Sequence, residues 1–253
     1  MRGLGLRAMR FARVRAVTTL LSLRGVTKAY RGDAAPFALE VPEFDLMPGE
    51  ALALAGPSGS GKSTLLMMLA LAAPPDAGDF TFAGEDIARL WQAGRRDALA
   101  GLRAGRIGVV PQTGGLLPYL TVAGNIALTQ RIAGCEDAAR VRMLAEELGI
   151  AAQLRKRPAE LSVGQRQRVA IARALAHRPA LVLADEPTAS VHPELADAVL
   201  ALLKRECAAA GAALLVATHD PERAAHAGYP VLACTTHAPG ADGIARSVFA
   251  RPA

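Results

Sequence analysis

The run Ala51-Leu52-Ala53-Leu54-Ala55 leads directly into Gly56-Pro57-Ser58-Gly59-Ser60-Gly61-Lys62-Ser63. An apolar stretch of strand length, a glycine-rich loop and a Gly-Lys-Ser ending form the pattern of a loop that cradles phosphate. Its glycines let the main chain curl until successive N–H groups point inward at the phosphates. Lys62 reaches the β- and γ-phosphates, the Ser63 hydroxyl is placed to ligate Mg²⁺, and Thr64 follows in the same nucleotide-binding set. The apolar residues from Lys62 to about Ala72 predict a helix, whose N-terminus adds partial positive charge. Only four of the 29 basic residues are lysine (Lys28, Lys62, Lys156 and Lys204), so a chance lysine here is improbable.

Two further apolar runs have the same character, Leu181-Val182-Leu183-Ala184 and Ala213-Leu214-Leu215-Val216-Ala217. Unbroken apolar runs with helical patterns between them predict a parallel sheet covered on both faces. Residues 115–160 are more polar, and Val141, Leu144 and Leu148 fall at helical spacing, which suggests an inserted helical lobe. From Ala238 to Ala253 the sequence reads as a loose end.

A formal charge of +6 invites nucleic acid or anionic lipid as a partner. Arg2, Arg7, Arg10, Arg13 and Arg15, with no acidic residue among residues 1–19, hold nearly all of the excess; without those five, 24 basic residues face 23 acidic ones. The body is close to neutral, and no nucleic acid is expected. The basic segment has three readings: a targeting peptide, a membrane-surface segment, or a disordered tail from an over-extended start. The richest apolar run, Leu65 to Ala73, is nine residues and ends at Pro74-Pro75, far short of the roughly 20 a spanning helix needs. Cys135, Cys207 and Cys234 lack metal-ligand spacing and read as reduced thiols.

Leu181-Val182-Leu183-Ala184 runs into Asp185-Glu186-Pro187-Thr188. An acidic pair alone is usually a solvated turn. Here it ends a buried strand of a parallel sheet, the end at which such sheets bind ligands. Asp185 is then placed to hold Mg²⁺ through water, and Glu186 to polarise the attacking water as general base.

Leu161-Ser162-Val163-Gly164-Gln165 precedes Arg166-Gln167-Arg168-Val169-Ala170-Ile171-Ala172-Arg173-Ala174-Leu175. Ser162 is an N-cap candidate and Gln165 completes a capping-box pattern. The helix that follows is an ordinary well-capped helix or a second anion-binding end.

Together these motifs closely resemble the nucleotide-binding subunits of ABC transporters, in order, over about residues 20–230. The resemblance implies a P-loop NTPase (RecA-like) α/β core with a parallel sheet, an antiparallel β subdomain and an inserted α-helical subdomain near 113–160. The ATPase domain then spans 20–238, between a basic tail (1–19) and a C-terminal tail (239–253). Two copies would sandwich two ATP molecules with Mg²⁺, each between the phosphate loop of one and Ser162, Gly164 and Gln165 of the other. Gln112, in Val109-Val110-Pro111-Gln112, matches the glutamine loop that touches Mg²⁺ or water and senses the membrane partner. His219, in Thr218-His219-Asp220, matches the histidine that contacts the γ-phosphate, and Tyr30 matches the aromatic that stacks on adenine.

By the same resemblance, the dimer powers a separate integral membrane permease from the cytoplasmic face of the membrane, docking through the segment that includes Leu116-Leu117-Pro118-Tyr119-Leu120. Short length and the stretch Leu116 to Ile126 point to the branch serving lipoprotein release or drug efflux. An ABC ATPase that regulates a membrane or assembly complex without transport is the alternative. The chain departs from the family at two places. Val163 stands where glycine is usual, and a β-branched residue there is expected to restrict the loop. Val191-His192 replaces the usual Leu-Asp, which puts coupling between the two sites in question.

Overall fold

The computed structural model describes residues 19–30, 36–189, 193–240 and 243–250. Most of the basic N-terminal segment (residues 1–18), and Val191 with His192, lie outside the described residues. Three strands set the frame: β3 (Ala51–Ala55), β7 (Leu181–Asp185) and β8 (Ala213–Thr218). All three pair in parallel, with Ala55 opposite Thr218 and Asp185 opposite Ala217, so their carboxyl ends finish level. β6 (Ile107–Val110) extends this half beyond β7, also in parallel.

The expectation of burial on both faces holds, and the alternation of side chains explains it. Leu52, Leu54, Leu183 and Leu215 enter one core with Leu65, Met68 and Leu69 of helix α1 (Lys62–Leu69). Ala53, Val182, Ala184, Leu214 and Val216 enter a second. That core is closed by α6 (Val163–Leu175) and α7 (Pro193–Ala210) through residues such as Val169, Ile171, Leu200 and Leu203. α1 stops three residues before the expected Ala72. Leu71 turns left-handed (φ 55°) and the Ala72 N–H returns to the Met67 carbonyl at 2.9 Å, which ends the helix before the two prolines.

The other half is an antiparallel wing made of β1 (Leu21–Tyr30), β2 (Phe37–Leu46), β4 (Ala77–Phe82) and the two-residue β5 (Glu85–Asp86). The joint between the halves is made by β9 (Val231–His237) and β10 (Ala245–Ala250). β10 pairs antiparallel with β9 and parallel with β2, and β9 runs parallel to β3. The stretch after Ala238, expected to be a loose end, therefore supplies a strand inside the sheet. Phe249 and Ser247 are fully buried there, alternating with partly exposed neighbours. That period-two burial makes the segment structural, although the apolar residues themselves do not alternate: Ser247 is buried and Val248 only partly so.

Between the wing and β6 run α2 (Ile87–Gln92) and α3 (Arg96–Arg106). After β6 come α4 (Val122–Ala133) and α5 (Ala138–Glu147), and α8 (Pro221–His226) links β8 to β9. α4 and α5 place Val122, Ile126, Val141 and Leu144 in the second core, against α6. Asn125, fully buried, fixes the loop ahead of α4: its amide donates to the carbonyls of Leu117 and Thr121 and accepts from the Leu117 N–H at 2.8 Å. Tyr119 is left 70% exposed at the tip of that loop.

Candidate active site

The level ends of β3, β7 and β8 deliver three chemical groups to one place. From β3 comes the phosphate loop. Gly59 and Gly61 take left-handed backbone (φ 79° and 86°), and a side chain on Gly61 would lie 2.7 Å from the Phe37 ring. Glycine at 61 thus serves both the curl and the close approach of β2. The Lys62 ammonium is buried under this curl and donates to the carbonyls of Gly56 (2.7 Å) and Pro57 (3.0 Å). Ser60 is also buried, and Ser58 and Thr64 line the space outside the loop.

From β7 comes the acidic pair. The Ser63 hydroxyl donates to an Asp185 carboxylate oxygen at 3.2 Å, which ties α1 to the end of β7. Glu186, one residue on, leaves the strand with φ 45°, a left-handed backbone that costs a non-glycine residue on the order of 1 kcal/mol or more. Its N–H remains bonded to the Ala217 carbonyl at 3.0 Å, so the sheet holds the strained residue in place. One Glu186 oxygen lies 3.8 Å from Lys62 Nζ and the other 2.8 Å from His219 Nδ1, at the end of β8. Partial burial raises the Asp185 pKa above its ordinary value; the Ser63 hydroxyl opposes the rise, repulsion from Glu186 adds to it and Lys62 opposes it.

These groups line a cavity of about 420 Å³, wide enough for a polyphosphate. Gln112, two residues beyond β6, completes its wall opposite the loop. Sequence reasoning missed Phe37 and Ala189, which also line it. Phe37 carries no local motif; the signal was its place as one of only six phenylalanines, at the start of a strand. Tyr30, expected at the base, is not in the lining. It faces Phe37 across the β1–β2 pair, is 43% exposed and carries Lys28 Nζ 5.8 Å from its ring centroid.

Ser162, Gly164 and Gln165 lie apart from this cavity, at the N-terminus of α6. The expected capping box is formed there: the Gln165 N–H donates to Ser162 Oγ at 3.3 Å, and the Ser162 N–H to Gln165 Oε1 at 3.0 Å. Val163 takes the first helical position of α6 and is 43% exposed. A side chain on Gly164 would meet open space, which leaves this helix end bare.

A phosphate-gripping loop, an acidic pair and a histidine at one end of a parallel sheet define a nucleoside triphosphatase. The family model described as ABC transporter matches residues 39–189. The lipoprotein-releasing system ATP-binding protein LolD 2 of Caulobacter vibrioides is 42% identical over 209 residues, which is 81% of this chain and 90% of that protein. The macrolide export ATP-binding/permease protein MacB of Nitrobacter winogradskyi is 40% identical over 82% of this chain, which matches only 32% of that longer protein. Among solved structures, a dimeric post-hydrolysis state of the ATP-binding cassette MJ0796 bound to ADP and Pi superposes with a TM-score of 0.74 at 29% identity. That match covers 92% of this chain and all of the other. The chain belongs to the ABC transporter family, as one of its ATP-binding, ATP-hydrolysing subunits. No helix among the described residues is long and apolar enough to cross a membrane.

Proposed function

We propose that two copies of this chain close around two MgATP molecules and that hydrolysis reopens them, driving a separate membrane permease from its cytoplasmic face. The observation that carries this reading is the split of the site. Phosphate loop, acidic pair and His219 share one cavity, while the capped N-terminus of α6 is not among the described residues that line it. A second copy brings the two together: its nucleotide meets Ser162, Gly164 and Gln165 of the first. The dimeric cassette that this chain resembles supports the arrangement. Relatives named for lipoprotein release and macrolide export support a permease of that branch.

In each site the loop amides and Lys62 hold the β- and γ-phosphates and offset their charge. Ser63, Asp185 and Gln112 are all oxygen donors within one cavity, a set suited to a hard cation. Mg²⁺ bound there neutralises charge on the phosphates. Glu186 takes a proton from the water that attacks the γ-phosphorus, the bond to the bridging oxygen breaks as ADP leaves, and His219, held at Nδ1 by Glu186, contacts the γ-phosphate. Tyr30 and Phe37, paired at the mouth of the β1–β2 ladder, receive the base.

The test is co-expression with a candidate permease of that branch, purified in detergent and reconstituted in vesicles. ATP turnover by the complex that is stimulated by the permease, and lost in Glu186→Gln, is the expected result. Turnover without any membrane partner, with no permease co-purifying, would overturn the transport reading and leave a regulatory ATPase.

A further inference from the structure

Arg173 lies near the far end of α6, 92% buried, and no carboxylate pairs with it among the described residues. A buried guanidinium without a counter-charge is expensive unless its donors are satisfied. This one spends its fork on two consecutive carbonyls, with Nη1 donating to Gly115 O at 2.7 Å and Nη2 to Gly114 O at 2.8 Å. Both glycines take left-handed backbone (φ 74° and 55°), which brings both carbonyls within reach of one planar group. The Gly114 N–H donates to the Pro111 carbonyl at 2.9 Å, closing the turn that contains Gln112. On its other side, the Arg173 carbonyl accepts from Thr129 Oγ1 at 2.7 Å, which fastens α4 to the same point.

Ser162 caps the start of α6, 11 residues or about 16 Å of helix from Arg173. One rigid helix therefore connects a helix end that faces outward with a loop that lines this chain's own cavity. We propose that Arg173 is a positioning residue: it makes the Gln112 loop follow α6, so that seating Ser162 on the nucleotide of a second copy sets Gln112 in its own site. This rests on the proposed dimer. It adds to that reading a physical link, one two-pronged hydrogen bond, between the partner's nucleotide and this chain's hydrolytic residues. Arginine is required because lysine presents a single point of charge and cannot hold both carbonyls in one plane.

The experiment uses the full chain and the variants Arg173→Lys and Arg173→Met, each also in a Glu186→Gln background. Arg173 does not line the cavity, so nucleotide affinity of the monomer and KM stay within about twofold of wild type. kcat falls about tenfold or more in Arg173→Met, the scale expected when a group is misplaced rather than removed. Arg173→Lys recovers only part of it. Hydrogen exchange supplies the readout that a merely structural role would not move. With MgATP and Glu186→Gln, both the 161–172 segment and the 109–117 segment become protected. With Arg173→Lys added, 161–172 is still protected and 109–117 is not.

Equal protection of both segments in Arg173→Lys, or unchanged kcat in Arg173→Met, would overturn the link. Should Arg173→Met fail to fold, as judged by its thermal melt, Arg173→Lys alone decides. Failure of the dimer reading looks different: neither segment would respond to MgATP even in Glu186→Gln with Arg173 intact.

Discussion

One carboxylate oxygen of Glu186 lies 2.8 Å from Nδ1 of His219, so the residue after β7 and the residue after β8 hold each other in place. An ionised carboxylate only accepts, so Nδ1–H donates to it. The strained backbone of Glu186 and this contact aim one side chain at one point.

Glu186→Gln keeps the shape of the side chain and removes its basicity. Turnover should fall between about 100- and 10,000-fold, the range of a lost general base, while ATP is still bound. Gel filtration with MgATP should then show an accumulated dimer. A variant that turns over at the wild-type rate would remove Glu186 from proton transfer.

Lys62→Ala deletes the buried ammonium that the loop carbonyls orient. Nucleotide affinity by calorimetry should weaken about 10- to 100-fold, the value of a charged hydrogen bond. Stability should change less, because the alanine leaves two loop carbonyls that water can reach.

Asp185 predicts a dependence on pH. Its pKa is raised by burial first, with Glu186 adding to the rise. A raised carboxylate pKa means that the folded protein favours the protonated form; that contribution is complete below the ordinary value and is lost as pH climbs through the folded value. Asp185→Asn should therefore melt close to wild type at low pH, and progressively higher than wild type as pH rises above the usual carboxylate range. Its MgATP turnover should be abolished. Scanning calorimetry without nucleotide across pH 4 to 8 checks the sign; a variant less stable than wild type at neutral pH contradicts it.

Ser162→Ala separates the structural and catalytic roles of one hydroxyl. Loss of the cap should cost about 1 kcal/mol, lowering Tm by about 2–4 °C. Turnover should drop well beyond what that loss explains, with nucleotide affinity of the monomer unchanged. Activity that falls only in step with stability would make the hydroxyl a cap and nothing more.

Phe249→Ala probes the joint in the sheet. A fully buried phenylalanine truncated to alanine costs about 3–5 kcal/mol. A chemical denaturation midpoint unmoved by the change would mean that β10 does not hold the wing.

What the sequence made legible was local. Ala51–Ala55, the glycine loop and Asp185-Glu186 dictate their own conformations, and buried strands on both faces announce a parallel sheet. The capping box at Ser162 and Gln165 was readable for the same reason. Phe37 was not, because nothing nearby in sequence marks it; only folding β2 over Gly61 brings it to the cavity. Arg173 stood in plain view on α6, yet its partners Gly114 and Gly115 are distant in sequence and their left-handed backbone gives no outward sign. β10 was hidden because its apolar residues do not alternate: one of its two buried positions is Ser247, which is held once β2 and β9 flank the strand. Tyr30 was marked only by resemblance; the structure sets it, half exposed, opposite Phe37 across the β1–β2 pair.

The position of β10 between β2 and β9 has a bearing on how the molecule is made. Translation delivers β1, β2 and β4 early and β10 last of the described strands. Until then the outer edge of β2 keeps unpaired amides and carbonyls, an edge open to strands of other chains. The wing can form its own hairpins and pack on the shared core while the ribosome is still at work, but its strand-to-strand link to the parallel half through β10 forms only once residue 250 has emerged. Aggregation during expression should thus be most sensitive to stalls or truncations ahead of residue 250, beyond His219, the last in sequence of the residues proposed to contact ATP.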